Sequence, residues 1–122
     1  MSDLQFDTNI LIDALRGHPE AKAELRRAKR RWISRMTWME VLAGANDATR
    51  TLVEAFLQRF AIIEIDEDVA RRAALIRNQS RMKLPDAVIW ASAQAAGHVL
   101  VTRNSKDFPA NAPGVRIPYQ LD

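Results

Sequence analysis

Three observations predict an α/β fold, a three-layer sandwich in which a mainly parallel sheet of four or five strands is flanked by helices. Short β-rich runs alternate with stretches of helical periodicity along the whole chain. Gly or Pro closes many of the helical stretches. Strands separated by a helix pair in parallel through right-handed crossovers. With 122 residues there is material for one buried core and not two, so one domain over residues 1–122 is expected. Apolar residues at 48% and charged residues at 27% exclude a disordered or fibrous chain.

Leu4-Gln5-Phe6 reads as a strand that ends in the carboxylate of Asp7, with Thr8 or Asn9 capping a helix through Ile10-Leu11-Ile12 that Gly17 stops. Residues just past the carboxyl end of a strand line the ligand crevice of an open parallel sheet, so Asp7 stands where chemistry sits. Ala21, Leu25, Ala28 and Trp32 then recur at helical spacing, opposite Lys22, Arg26, Arg27, Lys29 and Arg30. Trp32-Ile33-Ser34 makes a brief second strand. Thr37 is expected to cap a helix through Trp38, Val41 and Leu42 to about Gly44, with Glu40 one turn in. Asn46 or Asp47 caps the next, whose apolar face is Leu52, Val53, Phe56, Leu57 and Phe60.

Residues 61–65 are short and β-branched, a strand that Asp66 ends. Val69, Ala73 and Ile76 give the following helix its stripe. Pro85-Asp86 opens another through Val88, Ile89 and Trp90 to Gly97. Residues 98–101 form a strand into Thr102, residues 103–108 a polar loop, and residues 115–117 an edge strand before Pro118.

Lys and Arg number 18 against 15 Asp and Glu, a net charge of +3 that only hints at an anionic partner. The absence of cysteine excludes a disulfide framework and thiolate metal sites, and suits a reducing cytoplasm. No signal-like segment opens the chain, and no apolar run approaches the roughly 20 residues that span a bilayer. A soluble, cytoplasmic protein is expected.

Asp7, Glu40, Asp86 and Asp107 are all placed by this topology at strand ends, in early helical turns or in the loop past a strand, where they converge at one edge of the sheet. Clustered carboxylates raise each other's pKa unless a divalent cation offsets them. Oxygen donors without Cys or clustered His suit Mg²⁺, with Mn²⁺ as substitute, and such ions promote phosphodiester hydrolysis. Each acid alone has an ordinary reading, as a helix cap for Asp7, a dipole partner for Asp86, a helix-surface residue for Glu40 and a solvated loop residue for Asp107. His18 and His98 read as structural or surface residues, and Trp32, Trp38 and Trp90 as core or interface.

The ordered set decides between these readings. Asp7-Thr8-Asn9, Glu40 within residues 37–44, Asp86 within residues 84–93, and Thr102-Arg103-Asn104-Ser105-Lys106-Asp107-Phe108 within residues 100–108 together resemble the PIN-domain nucleases, and more closely their VapC-type toxin branch, over nearly the whole chain. The resemblance implies a PIN-like sandwich and a Mg²⁺-dependent endoribonuclease, the toxin of a type II toxin–antitoxin pair, acting on structured RNA such as tRNA or rRNA. Asp7, Glu40 and Asp86 would be its metal-binding acids. Many relatives have an acid where this chain has Asn104, so the fourth position falls to Asn104 or to Asp107, the latter also counted among the catalytic acids. Thr8 and Thr102 would orient carboxylates or water. The resemblance also implies a VapB-like antitoxin, a homodimer and a higher assembly with the antitoxin. Apolar residues on the helices of residues 37–60 (Trp38, Met39, Leu42, Phe56, Leu57 and Phe60) are candidates for the antitoxin surface.

Arg103 and Lys106 are the preferred RNA-binding candidates, being next to the acids. The basic run of residues 26–31 reads as a solvated helix face or as a further RNA contact. Two competing functions remain on the sequence. The neutral Asn104 is compatible with a catalytically weak or inactive module that only holds RNA or an antitoxin. A phosphatase using Asp7 as nucleophile would need a second Asp where Asn9 stands.

Overall fold

The computed structural model describes residues 3–108 and 112–121. The chain order is β1 (Leu4–Phe6), α1 (Thr8–Leu15), α2 (Pro19–Arg27), β2 (Arg31–Ser34), α3 (Arg35–Ala43), α4 (Arg50–Leu57), β3 (Ala61–Ile63), α5 (Glu67–Gln79), α6 (Leu84–Ala96), β4 (Val99–Val101) and β5 (Val115–Arg116). All five strands pair in parallel in the order β3-β2-β1-β4-β5, so the expected mainly parallel sheet is wholly parallel among the described residues, and β5 is indeed at an edge.

Alternation along the strands feeds two cores, one on each face of the sheet. Phe6, Ile33 and Val101 turn to one face, where Ile10, Leu11, Leu25 and Leu57 cover them from α1, α2 and α4. Leu100 turns to the other, against Val69 and Ala73 of α5, Ala87 and Ile89 of α6, and Phe108. Trp90 meets Phe108 edge-on, a core contact as expected for it. Trp32 stacks on His98 and Trp38 lies beneath Arg35, which leaves neither ring as an open platform. No helix is long and apolar enough to cross a membrane among the described residues.

Three local expectations need correction. Asp7 itself caps α1, its Oδ1 accepting the Thr8 N–H at 2.7 Å, so Thr8 is the first helical residue instead of the cap. Ser34, and not Thr37, caps α3, because the helix follows β2 without an intervening loop and the Ser34 hydroxyl already accepts the Met36 N–H. Glu40 consequently lies in the second turn of α3, and Thr37 is buried inside that helix. Neither Asn46 nor Asp47 is the cap of α4. Thr49 holds that position, and Asn46 instead closes the preceding turn by accepting the Thr49 N–H. The end of α6 agrees with expectation: Gly97 adopts φ +71°, a left-handed cap that only glycine takes without strain.

Candidate active site

In a wholly parallel sheet every strand ends at the same edge, and α1 and α3 start there directly from β1 and β2. The end of α6 meets the start of β4 at the opposite edge, which puts its own N-terminus, with Asp86 in the first turn, back at the carboxyl edge. Asp7, Glu40 and Asp86 thus come from three elements to one place. Their charges act on one another: Asp86 and Glu40 both push up the pKa of Asp7, and Asp107 and Glu40 push up that of Asp86.

Asp7 is 5% exposed. Its backbone N–H donates to the Val101 carbonyl, extending the ladder with β4 one residue past the end of β1. Oδ2 accepts the Thr102 hydroxyl at 2.7 Å and the Asn9 amide at 3.4 Å. Thr102 is itself fully used, since its oxygen accepts the Asn9 amide and the Asn104 backbone N–H. Burial is the main reason that the Asp7 carboxyl is pushed up to about 6; the bonds from Thr102 and Thr8 oppose the shift, and the neighbouring acids add to it. Asp86 is half-buried and pushed up by burial, then by Asp107 and Glu40, with Lys83 acting in the other direction. On Glu40, Oε1 accepts the Thr8 hydroxyl at 2.7 Å, and the same hydroxyl lies 3.0 Å from that of Thr37. Thr8 therefore ties Asp7, through its N–H, to Glu40, through its hydroxyl.

Asn104 and Asp107 occur as a bonded pair. The Asn104 amide donates to Asp107 Oδ2 at 2.8 Å, and its oxygen accepts the Asp107 N–H at 3.2 Å. With both ends engaged, Asn104 orients Asp107, and Asp107 brings the charge that reaches Asp86. Lys106 and Lys83 are exposed, with no ion-pair partner among the described residues.

Arg103 is placed differently from a free cation. Its guanidinium forks onto both oxygens of Asp13, a carboxylate only 1% exposed, which also accepts the Tyr119 hydroxyl at 2.8 Å. Burial and the bond to Asp13 together raise the Tyr119 pKa. Arg103 still reaches the site through its backbone, where its N–H donates to Asn9 Oδ1 at 3.1 Å. Asp13 and Tyr119 were not singled out from sequence, and Thr37 was read only as a helix cap. Asp13 alone carried a signal, an acid on the buried stripe of α1 between Ile10 and Ala14.

A groove of about 390 Å³ runs from Glu40 between α1, α3 and α4, lined by Ile12, Leu15, Val41, Leu52 and Val53. Leu52 is 73% exposed. Of the apolar residues expected on these helices, Leu57 and Phe60 are buried, Trp38, Leu42 and Phe56 pack against the core, and Met39 stays exposed.

The donor set is all oxygen, three carboxylates with a fourth behind them, and its chemistry fits a hard divalent cation. Among the described residues, no three acidic or histidine side chains stand close enough together to hold such an ion, so the acids would have to draw together around it.

Residues 5–112 match the family model described as PIN domain. The chain is 30% identical to a tRNA(fMet)-specific endonuclease VapC of Salmonella typhimurium, over 96% of this chain and 97% of that protein. It is 32% identical to the ribonuclease VapC19 of Mycobacterium tuberculosis, over 93% of this chain and 98% of that protein. Among solved structures, a toxin–antitoxin complex from Klebsiella pneumoniae contains a chain that superimposes with a TM-score of 0.90 at 44% identity, covering 98% of this chain and all of that one.

Proposed function

The chain belongs to the PIN-domain family, on its VapC branch, and from that membership we propose that it is a Mg²⁺-dependent endoribonuclease, the toxin of a type II toxin–antitoxin pair, cutting structured RNA such as tRNA or rRNA. The observation that carries the proposal is the meeting of Asp7, Glu40 and Asp86, from three separate elements, at one edge of the sheet, with their charges acting on one another. The reading takes the chain as one domain, since both cores share one sheet.

Mg²⁺ or Mn²⁺ bound there supplies the charge that polarises the phosphodiester and activates water. Asp7, Glu40 and Asp86 would hold it, and Asp107, oriented by Asn104, is the fourth acid. Thr102 and Asn9 fix one oxygen of Asp7 while the Thr8 N–H fixes the other, so the carboxylate cannot turn away. Lys83 and Lys106, exposed and without an ion-pair partner among the described residues, would hold phosphates next to the scissile one. Hydrolysis in line would leave 5′-phosphate and 3′-hydroxyl ends.

The partner follows from the same membership. An antitoxin segment would lie in the groove between α1, α3 and α4, covering Leu15 and Leu52 and reaching Glu40, on a toxin that is itself a homodimer.

The test is cleavage of structured RNA by the purified chain with Mg²⁺ or Mn²⁺. Glu40→Gln and Asp86→Asn should each abolish cutting with the circular dichroism spectrum unchanged. Cutting that persists in excess chelator, or in both variants, would refute the proposal. One observation favours a second reading, a binding module of the same fold: the open spacing of the acids. RNA that is bound yet uncut with any divalent ion would establish that reading instead.

A further inference from the structure

Two adjoining cavities open at the amino-terminal edge of the sheet, away from the acids. One, of about 490 Å³, lies between the α2–β2 connection and the end of α4, and the other, of about 360 Å³, runs on beside α2; Arg31 and Arg59 line both. Six cations surround them, Lys22, Arg26, Lys29, Arg30, Arg31 and Arg59, and no carboxylate lines either one. Among the described residues, none of the six has an ion-pair partner, whereas seven other arginines (27, 35, 50, 71, 72, 103 and 116) do. The net charge of +3 therefore conceals a local concentration of positive charge, six cations without ion-pair partners around one cleft that no carboxylate lines.

Two of the six are held in place. Arg31 donates from Nε to the Leu25 carbonyl at 2.9 Å, which leaves its terminal N–H groups pointing elsewhere, and Arg30 lies over the Trp32 ring at 4.5 Å. Fixed guanidinium groups lose less freedom on binding a phosphate than mobile ones do. Six cations spread over two cavities suit a series of phosphates better than a single small anion. The strands of the sheet are only two to four residues long, about 10 Å for three at roughly 3.3 Å per residue, so one folded RNA can touch both edges.

We propose that this cleft is a second RNA-binding site, which holds the phosphate backbone of a folded RNA away from the scissile bond and favours large structured substrates over short ones. The inference rests on the endoribonuclease reading for its ligand, but not for its geometry. The test uses the full chain, titrated into fluorescent bulk tRNA in chelator at several salt concentrations. The triple substitution Lys29→Glu, Arg30→Glu, Arg59→Glu should weaken binding at least tenfold. The glutamine triple at the same positions, which introduces no repulsion, should reduce the slope of log affinity against log salt by about 2, at roughly 0.7–0.9 per lost phosphate contact. In Mg²⁺ or Mn²⁺, KM for tRNA should rise in the triple variants while kcat, and the cutting of a short single-stranded oligonucleotide, stay as in the wild type.

Unchanged tRNA affinity in both triples would overturn the proposal. So would an equal loss on the short oligonucleotide, or tighter competition by duplex DNA or by a polyglutamate peptide than by RNA. A wild type that binds tRNA through this cleft but cuts nothing overturns the nuclease reading and leaves this one standing.

Discussion

Asp7→Asn should stabilise the protein while destroying its activity, and the size of the gain follows from burial. Folding takes the Asp7 carboxyl from an ordinary value of 3.8 to about 6, because the group is almost wholly enclosed. A shift of about two units, at roughly 1.36 kcal/mol each, means that ionised Asp7 costs the folded state about 3 kcal/mol. Asparagine removes that charge and can still accept the Thr8 N–H, but its amide faces the Thr102 hydroxyl and the Asn9 amide, a loss of about 1–2 kcal/mol in hydrogen bonding. The net gain is about 1–2 kcal/mol, or roughly 4–8 °C in Tm for a chain of this length. A folded-state pKa above the unfolded one stabilises at low pH, and that stabilisation is lost as pH rises through about 6. In chelator, the variant should therefore melt above the wild type at pH 8, and the difference should shrink as pH falls from 6 towards 4. Mg²⁺ or Mn²⁺ should raise the wild-type Tm at pH 8 and leave the variant where it was. The assay is thermal melting at pH 4, 6 and 8 with and without metal. A variant that melts at or below the wild type at pH 8, or whose gain does not depend on pH, would refute the reasoning.

Two further substitutions probe the supports of the site. Asn104→Ala releases Asp107 from both bonds that orient it and should lower RNA cleavage and apparent metal affinity about 10–100-fold with Tm nearly unchanged, as read from a metal titration of the cleavage rate. Asp13→Asn leaves the Arg103 guanidinium without its charge partner and should cost about 3–5 kcal/mol in urea unfolding, whereas Tyr119→Phe, which removes one bond to the same carboxylate, should cost about 1.5–3 kcal/mol.

What was legible in the sequence was the part governed by local rules. A strand running into Asp7, Pro85 before Asp86 and Gly97 after α6 each carry their signal within a few residues, and together they set the topology that brings the acids to one edge. The misplaced caps were local too, but degenerate. Ser34 and Thr37 are both good caps, and only the continuity of β2 into α3 selects Ser34 and buries Thr37 against Thr8. The Asp13–Arg103–Tyr119 cluster was beyond such rules, since it joins residues 90 and 106 positions apart along the chain, and only the pairing of β1 with β4 and β4 with β5 brings them together. Arg103 looked like a substrate contact because it neighbours Asn104 and Thr102. In three dimensions its side chain leaves that neighbourhood and its backbone stays, so the same residue that seemed to face the RNA holds Asn9, and through it one oxygen of Asp7. The basic run was visible as charge, but the cleft was not: Arg59 joins it only because β3 pairs with β2, which sets the end of α4 beside the α2–β2 connection. Adjacency in sequence thus misplaced the Arg103 guanidinium, which is paired with Asp13. If both proposals hold, phosphate binding is divided between the lysines beside the acids, which hold phosphates next to the scissile one, and the basic cleft at the far edge, which holds the rest of the RNA.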